Sequence, residues 1–361
     1  MMINGLKIAL VFEGLFSYDG ESRVNEQFTK IFPNADIYAL YGTQKFADRY
    51  FDRKRVKFSF LNRYPFIKRL YTHYLHLWPV AIESFDLSEY DLVISSSHAV
   101  AKGCITSESA THIAYIHTPM RFLWDLKGMY SKYGLLKSPF LNYLRAWDVV
   151  SSNRPDRIIT NSKFISDRCK RYWGKEADQV IYPPVNLYEG KLIPYKDRGD
   201  YFVIGAPFAE NKGGRMVVDL ARSYGFNLKI IGKSRKSKEL KRYSKNIKNV
   251  EFLGRVSEEE KWNILSRAKG LLAMGVEDFG IFPVEAISCG TPVLAINKGG
   301  YRETILSGIN GLFFENRKDF KKQLDKLVSK DWDINSMRKG VEKYNVDRFR
   351  KEVEEFVINS I

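Results

Sequence analysis

Short apolar runs separated by amphipathic stretches set the rhythm of this chain. KIALVF, ADIYAL, YDLVISSS, HIAYIHT, RIITNS and QVIYPP follow one another through the first half, an alternation of strand and helix. Most of these runs are rich in Ile and Val with little polar interruption, the pattern of parallel strands covered on both faces. After a polar, proline-containing segment from Pro183 to Asp200 the rhythm restarts with YFVIGAP, NLKIIGK, NVEFLGR, GLLAMG and TPVLAI. Two α/β domains are predicted, residues 1–190 and 198–345, with a hinge near Pro183 to Pro194. The two halves share alternation and not sequence, so two Rossmann-like sheets are expected rather than a recent duplication. The last stretch, VDRFRKEVEEFVINSI, has helical spacing and predicts a closing helix over about 346–361 that returns to pack on the first domain.

In open α/β sheets ligands bind outside the carboxyl ends of the strands. That rule selects Gly14, Gly20, His117, Thr118, Asn161, Ser162, Gly205, Lys212, Gly232, Glu277 and Gly280 for scrutiny.

Length and composition narrow the classes. The chain has 361 residues, enough for two domains of roughly 150 to 200 residues. Its hydrophobic share of 44% and charged share of 28% fit a folded globular protein. No apolar run approaches the roughly 18 residues of a membrane span, and MMINGLKIALVFEG reads as a first strand rather than a signal peptide. Cys104, Cys169 and Cys289 are too few and too scattered for a disulfide framework or a sulfur-bound metal. A cytoplasmic location is therefore expected, peripheral at the inner face of the membrane if the basic surface meets a bilayer. The formal charge of +16 calls for an anionic partner or a solvated basic surface. No nucleic-acid reader motif accompanies it, so nucleic acid is not expected.

The chemistry concentrates in GVEDFGIFPVEAISCGTPVLAINKGG, Gly275 to Gly300. A loop with Glu277 and Gly280 leads into a helix predicted to begin near Phe282 or Pro283, proline suiting the first turn. Glu285 falls within that turn or just beyond it, eight residues after Glu277. A helix N-terminus suits a diphosphate and a carboxylate beside it suits the vicinal hydroxyls of ribose. The segment EDFGIFPVEAISCGTPV resembles the signature of the family-four, or group 1, retaining glycosyltransferases, a GT-B family with two Rossmann-like doubly wound domains facing each other across a cleft. The resemblance implies that Glu277 contacts donor-sugar hydroxyls, Glu285 binds ribose, and the backbone at Phe279, Gly280, Ile281 and Phe282 holds sugar and phosphate.

A second segment, AYIHTPMRFLWD, places His117 at a strand end. It is similar to the HTPMR-type segment of bacterial and archaeal mannosyltransferases in that family, where the histidine borders the anomeric centre. On that likeness His117 hydrogen-bonds the donor sugar, with its carbonyl near the developing oxocarbenium charge. Arg121, Trp124 and His98 are expected on the acceptor side, with Ser97 and Lys102 lining or supporting it; Trp124 reads equally well as core and the serines equally well as caps.

GAPFAENKGGRMVVDLAR presents Lys212 at a helix start, where the family has its phosphate-binding lysine, and Pro207 where the family commonly has an arginine. Either Arg215 or another basic residue compensates, or stabilisation of the leaving group is weakened. FEGLFSYDGESRVNEQF lacks the GxGxxG spacing of nicotinamide and flavin enzymes; the resemblance turns Gly20 toward the donor phosphates or acceptor. Gly205, Gly232 and Val256, the last beside Arg255, are expected around the nucleotide, and the KGGYRETI turn close to it. RKRVKFSFLNRYPFIKRLYTHYLHLWPV, Arg53 to Val80, mixes cations with aromatic rings and suits either an anionic membrane surface or an ordinary helix burying its rings.

The resemblance implies a retaining hexosyltransferase that needs no metal and no cofactor, with GDP-mannose the favoured donor and a glycan or lipid-linked acceptor. A UDP-sugar enzyme of the same family, a sugar-nucleotide epimerase and a non-catalytic sugar-nucleotide-binding subunit of a polysaccharide-assembly complex are the alternatives.

Overall fold

The computed structural model describes residues 5–51, 56–125, 138–205, 213–233 and 237–361. Lys212 and Pro207, as well as Lys54 and Arg55, lie outside the described residues. The chain divides into two compact units, Met1–Pro184 with Val346–Ile361, and Val185–Asn345.

The first unit is built on a parallel sheet of seven strands: β1 (Ile8–Leu15), β2 (Asp36–Gly42), β3 (Val56–Phe58), β4 (Leu92–Ser97), β5 (Thr111–Ile116), β6 (Arg157–Thr160) and β7 (Gln179–Val180). Their order is β3-β2-β1-β4-β5-β6-β7. Nearly every residue of β1, β2 and β4 is buried, which is why their sequences run apolar without alternating. One face packs Val24 and Phe28 of the helix Gly20–Ile31 against the sheet. The terminal helix Val346–Ile358 joins the same core through Phe349, Val353 and Val357, with Phe349 and Phe28 both packed on Tyr115.

The second unit has six parallel strands: β8 (Phe202–Gly205), β9 (Leu228–Ile231), β10 (Val250–Gly254), β11 (Gly270–Ala273), β12 (Val293–Ile296) and β13 (Gly311–Phe314), in the order β10-β9-β8-β11-β12-β13. In each sheet the order reverses once, between β1 and β4 and between β8 and β11. Those two switch points are where loops diverge and leave a crevice for a ligand.

Two strands were not legible as apolar runs. β3 is a three-residue edge strand inside the basic stretch, and β13 is the GLFF of a turn-rich sentence. The stretch from Val56 to Glu83 is not the single helix that was one of its two readings. Pro65 holds Tyr64 extended (ψ 144°), and the chain breaks into a 3-10 turn Phe60–Arg63, a helical turn Ile67–Leu70, a 3-10 run Tyr71–Leu77 and a short helix Trp78–Glu83.

Candidate functional site

The switch point of the second unit carries the acidic pair. The helix after β11 runs Ile281–Ser288, starting one residue before the predicted range, with Gly280 as its N-cap at φ 100°. A left-handed N-cap is open to glycine at low cost, and a Cβ there would meet the Tyr301 ring at 2.9 Å. Pro283 falls in the first turn. Glu277, half-buried, stands on the loop before the cap; Glu285 lies just past the first turn and is buried. Lys261 of the helix Glu258–Ser266 donates to Glu285 Oε1 at 3.0 Å and to Glu258 at 2.7 Å, with its ammonium 4.1 Å from the Trp262 ring centre. Glu285 is thus a fixed, ion-paired carboxylate.

The KGG turn does not stand apart from this loop. Gly300 N–H donates to Glu277 C=O at 2.9 Å, and a Cβ on Gly300 would fall 2.4 Å from Asp278 C=O. The two loops are in backbone contact, so the turn Gly299–Tyr301 sets the height of Glu277 and Phe279. Phe279 is buried with its ring edge-on to Tyr344 at 5.2 Å, so its backbone rather than its ring is what it can offer a ligand. The Phe282 ring lies against Gly205 at the tip of β8, where a Cβ would come within 2.8 Å. Across the sheet, Gly232 N–H donates to Gly254 C=O at 2.5 Å and ties the ends of β9 and β10 together. Val256 follows, half-buried, just before the Ser257–Glu260 capping box. Arg215, offered by the sequence as a replacement phosphate ligand, lies over the Tyr243 ring at 4.3 Å.

In the first unit the structure assembles a group of titratable side chains at the β1/β4 switch point. Glu13, near the end of β1 and wholly buried, accepts the backbone N–H groups of His98 (3.1 Å), Ala99 (2.7 Å), Val100 and Ala101 (2.9 Å), and the hydroxyl of Ser97 (3.1 Å). It is an anion held in a nest of amides. His98 Nδ1 sits 2.5 Å from Glu13 and 2.6 Å from Glu21, the spacing of a proton-bearing nitrogen between two carboxylates. Burial alone would push the imidazolium toward losing its proton, but the two carboxylates hold it well above its usual range. Burial raises Glu13, yet the His98 charge and the amide donors overcome it and bring it down to about 2. Burial raises Glu21 to about 7 against the pull of His98.

His117 closes the group from the tip of β5. Its N–H donates to Ser97 C=O at 2.8 Å, its Nε2 is 2.8 Å from Ser96 Oγ, and its C=O accepts the Asn161 amide at 3.0 Å. Burial, aided by the nearby His98 charge, lowers it to about 3. The imidazole is neutral at physiological pH, able to donate or accept a hydrogen bond without carrying charge.

Gly20 is the first residue of its helix, capped by Asp19, which accepts Ser22 N–H at 3.1 Å. Arg121 is half-buried in the turn after His117. Trp124 donates from Nε1 to Asp148 at 2.8 Å and stacks on Tyr172 at 4.9 Å, which makes it part of the wall. Lys102 is buried, bonded to Asp148 at 2.7 Å and to Ala99 C=O at 3.3 Å. It supports the 98–101 turn and cannot reach a ligand. Ser162 caps the helix Lys163–Trp173, and Ser97 serves Glu13 rather than a helix.

Comparison with known proteins settles what these two switch points belong to. Residues 34–189 match the model of Glycosyltransferase Family 4 and residues 195–346 that of Glycosyl transferases group 1, in series along most of the chain. The chain belongs to the group 1 glycosyltransferases. Among relatives of this group, it is 29% identical over 254 residues to the uncharacterized glycosyltransferase MJ1178 of Methanocaldococcus jannaschii, covering 66% of each chain. It is 34% identical over 276 residues to the alpha-1,3/1,6-mannosyltransferase ALG2 of Saccharomyces cerevisiae, covering 62% of this chain and 53% of that one. The chain spans about two thirds of the first relative and about half of the second. Among solved structures, HepE of Anabaena in complex with UDP and glucose aligns over 98% of this chain and 100% of its own, at 15% identity and a TM-score of 0.67. Sucrose-phosphate synthase of Thermosynechococcus elongatus aligns over 98% of both chains, at 13% identity and a TM-score of 0.66. The group 1 glycosyltransferase thus has the GT-B fold, with two Rossmann-like sheets.

Three partnerships of consequence escaped the sequence reading, those of Glu13, Glu21 and Lys261. Glu13 lies inside an apolar strand, where its burial gives no outward sign. Glu21 looks like an ordinary first-turn acid, and Lys261 follows three glutamates that explain it without Glu285. No pattern in the chain pairs any of them with its partner.

Proposed function

We propose that this glycosyltransferase is a retaining hexosyltransferase that moves mannose from GDP-mannose to a glycan acceptor, lipid-linked and met at an anionic membrane surface, during polysaccharide or glycolipid assembly. The observation that carries the reading is the acidic pair about the helix start at Ile281, with Glu285 fixed by Lys261 and Glu277 seated on the Gly300 turn. Mannosyltransferase relatives support the choice of sugar.

In this reading Glu285 receives the ribose hydroxyls and the helix N-terminus receives the diphosphate. Glu277 and the neutral His117 hold the hexose. Lys212 stabilises the leaving diphosphate, replacing a metal ion, and removing such a donor typically costs about 100 to 1,000-fold in rate. Bond cleavage at the anomeric carbon runs ahead of attack from the same face, and the leaving phosphate oxygen takes the acceptor proton. His98, Arg121 and Trp124 belong to the acceptor side, His98 as a charged donor and Trp124 as wall.

A UDP-sugar donor is the second reading, favoured by the UDP and UDP-glucose in the HepE structures. Thermal shift with a panel of nucleotide sugars separates the two, because a ligand at about 100 times its Kd adds roughly 2.7 kcal/mol of stability. The preferred donor is then incubated with lipid-linked and water-soluble acceptors and the product anomer assigned by NMR. An inverted anomer, or donor binding without transfer or hydrolysis by any acceptor, would overturn the proposal.

A further inference from the structure

From Arg53 to Ile82 the chain carries Arg53, Lys54, Arg55, Lys57, Arg63, Lys68 and Arg69 and no aspartate or glutamate. Within the described part, Arg63, Tyr64, Pro65 and Phe66 are exposed in succession, Ile67 turns inward, and Lys68 and Arg69 are exposed again. Phe66 is 73% exposed, the most open large apolar side chain among the described residues. It is also, among those residues, the one non-glycine with a positive φ, at 54°.

Each feature is unfavourable to the isolated chain. A bulky side chain in the left-handed region is strained, and a ring held in water forfeits the gain of burial. The conformation itself has a local use, since Phe66 C=O accepts the N–H groups of Arg69 and Leu70 and starts the turn Ile67–Leu70. Glycine would do the same without strain. Among the described residues no other aromatic ring meets the Phe66 ring, and its exposure points to a use outside the fold.

The tip is braced rather than loose. Ile67 is seated in the first unit's core. Tyr64 packs edge-on to Tyr74 at 5.1 Å, and the Tyr74 hydroxyl donates to Pro65 C=O at 3.0 Å. A fixed projecting ring, a half-open tyrosine beside it and a surround of cations match the interface of an anionic bilayer, where rings enter the headgroup boundary and cations meet phosphates. A nucleic acid would instead want several open ring faces in a row.

We propose that the segment Arg63–Arg69 is a membrane-docking wedge in which Phe66 enters the acyl boundary of an anionic leaflet, Tyr64 lies at headgroup level, and Arg63, Lys68 and Arg69 bind lipid phosphates. The proposal deepens the membrane-surface part of the reading above and is independent of which sugar is transferred.

The test uses the full chain with large vesicles of phosphatidylcholine alone or with 30% phosphatidylglycerol, about that fraction sufficing for a negative surface. Wild type should sediment with the anionic vesicles and far less with the neutral ones. Phe66→Gly should release it at least about tenfold while Tm stays level or rises, because glycine relieves the left-handed strain. Lys68→Glu with Arg69→Glu should release it likewise. Equal sedimentation of wild type and Phe66→Gly overturns the wedge, and so does a Tm loss in Phe66→Gly without release. Transfer to a water-soluble acceptor should be the same in wild type and Phe66→Gly. Its absence from both, with the release intact, counts against the transferase reading and leaves the wedge standing.

Discussion

Lys261 Nζ lies 3.0 Å from Glu285 Oε1, and both side chains are almost closed to solvent. A carboxylate proposed to receive ribose hydroxyls cannot be buried alone, because an uncompensated charge in that setting costs several kcal/mol. The lysine makes it tolerable and aims it. Lys261→Met should therefore destabilise the protein by about 3 kcal/mol and weaken nucleotide binding. Pairing it with Glu285→Met should restore most of the stability and none of the binding. Urea unfolding and calorimetric titration with the preferred nucleotide measure the two effects separately.

Glu13 stands to the first unit as Lys261 does to the second. Its carboxylate gathers four consecutive amides and fixes the turn that carries His98. Glu13→Gln keeps the size and loses the charge, and hydrogen bonds to a charged group are worth about 1.5 to 3 kcal/mol each; a net loss of about 3 kcal/mol is expected. Glu13 has a folded pKa of about 2, below its ordinary 4.5. Its contribution is present above pH 4.5 and is lost as pH falls toward 2. His98 is shifted upward, so its contribution is present below 6.5 and is lost as pH rises through its elevated value. The pair is strongest between about pH 4.5 and 6.5. Denaturation midpoints between about pH 4.5 and 2 should fall less steeply toward acid in Glu13→Gln than in wild type.

Much of the architecture was legible because the interior of a parallel sheet admits few polar residues. Eleven of the strands could be read as apolar runs, while β3 and β13 could not. Val56–Phe58 is an edge, where one lysine among two apolar residues is acceptable, and Gly311–Phe314 opens on a glycine that reads as part of the turn before it. The acidic pair was legible because it sits in a local string of glycine, proline and glutamate. Partnerships across distant segments were not. Glu13 and His98 are separated by 85 positions, and only folding reveals that one carboxylate organises the other's loop. Trp124 and Lys102 show the converse: residues beside a functional string that turn inward to Asp148.

His117 is expected to stay neutral well into acid. Burial brings it to about 3 and His112 to about 4, while His98 is held charged by its carboxylates. Proton–nitrogen NMR of labelled protein should show His117 and His112 as unchanging neutral rings from pH 8 to 5, with His98 an imidazolium over the same range. Glu21 should titrate near 7 in carbon-detected spectra. A His117 resonance that moves with a midpoint near the ordinary 6.5 would mean that the ring is solvated and not held by Ser96 as described.

Gly300 makes a sharp demand on sequence in the second unit. Its φ of −64° is open to any residue, so the requirement is space alone: a Cβ would lie 2.4 Å from Asp278 C=O and 2.5 Å from Phe279 Cα, both backbone. Backbone cannot step aside as a flexible side chain does. Gly300→Ala should push the Glu277–Phe279 loop away from the turn and break the Gly300 N–H to Glu277 C=O bond. Overpacking of this kind costs about 1 to 3 kcal/mol, and the displaced loop should cost more in binding than in stability. The expected outcome is a modest fall in Tm with a nucleotide-sugar affinity reduced about tenfold or more, since a misplacement of about 1 Å at a binding group is enough for such a loss. Calorimetry against the free nucleotide and the intact nucleotide sugar then tells where the loop acts: a larger loss for the sugar-bearing ligand places Glu277 at the hexose, and equal losses place it at the diphosphate.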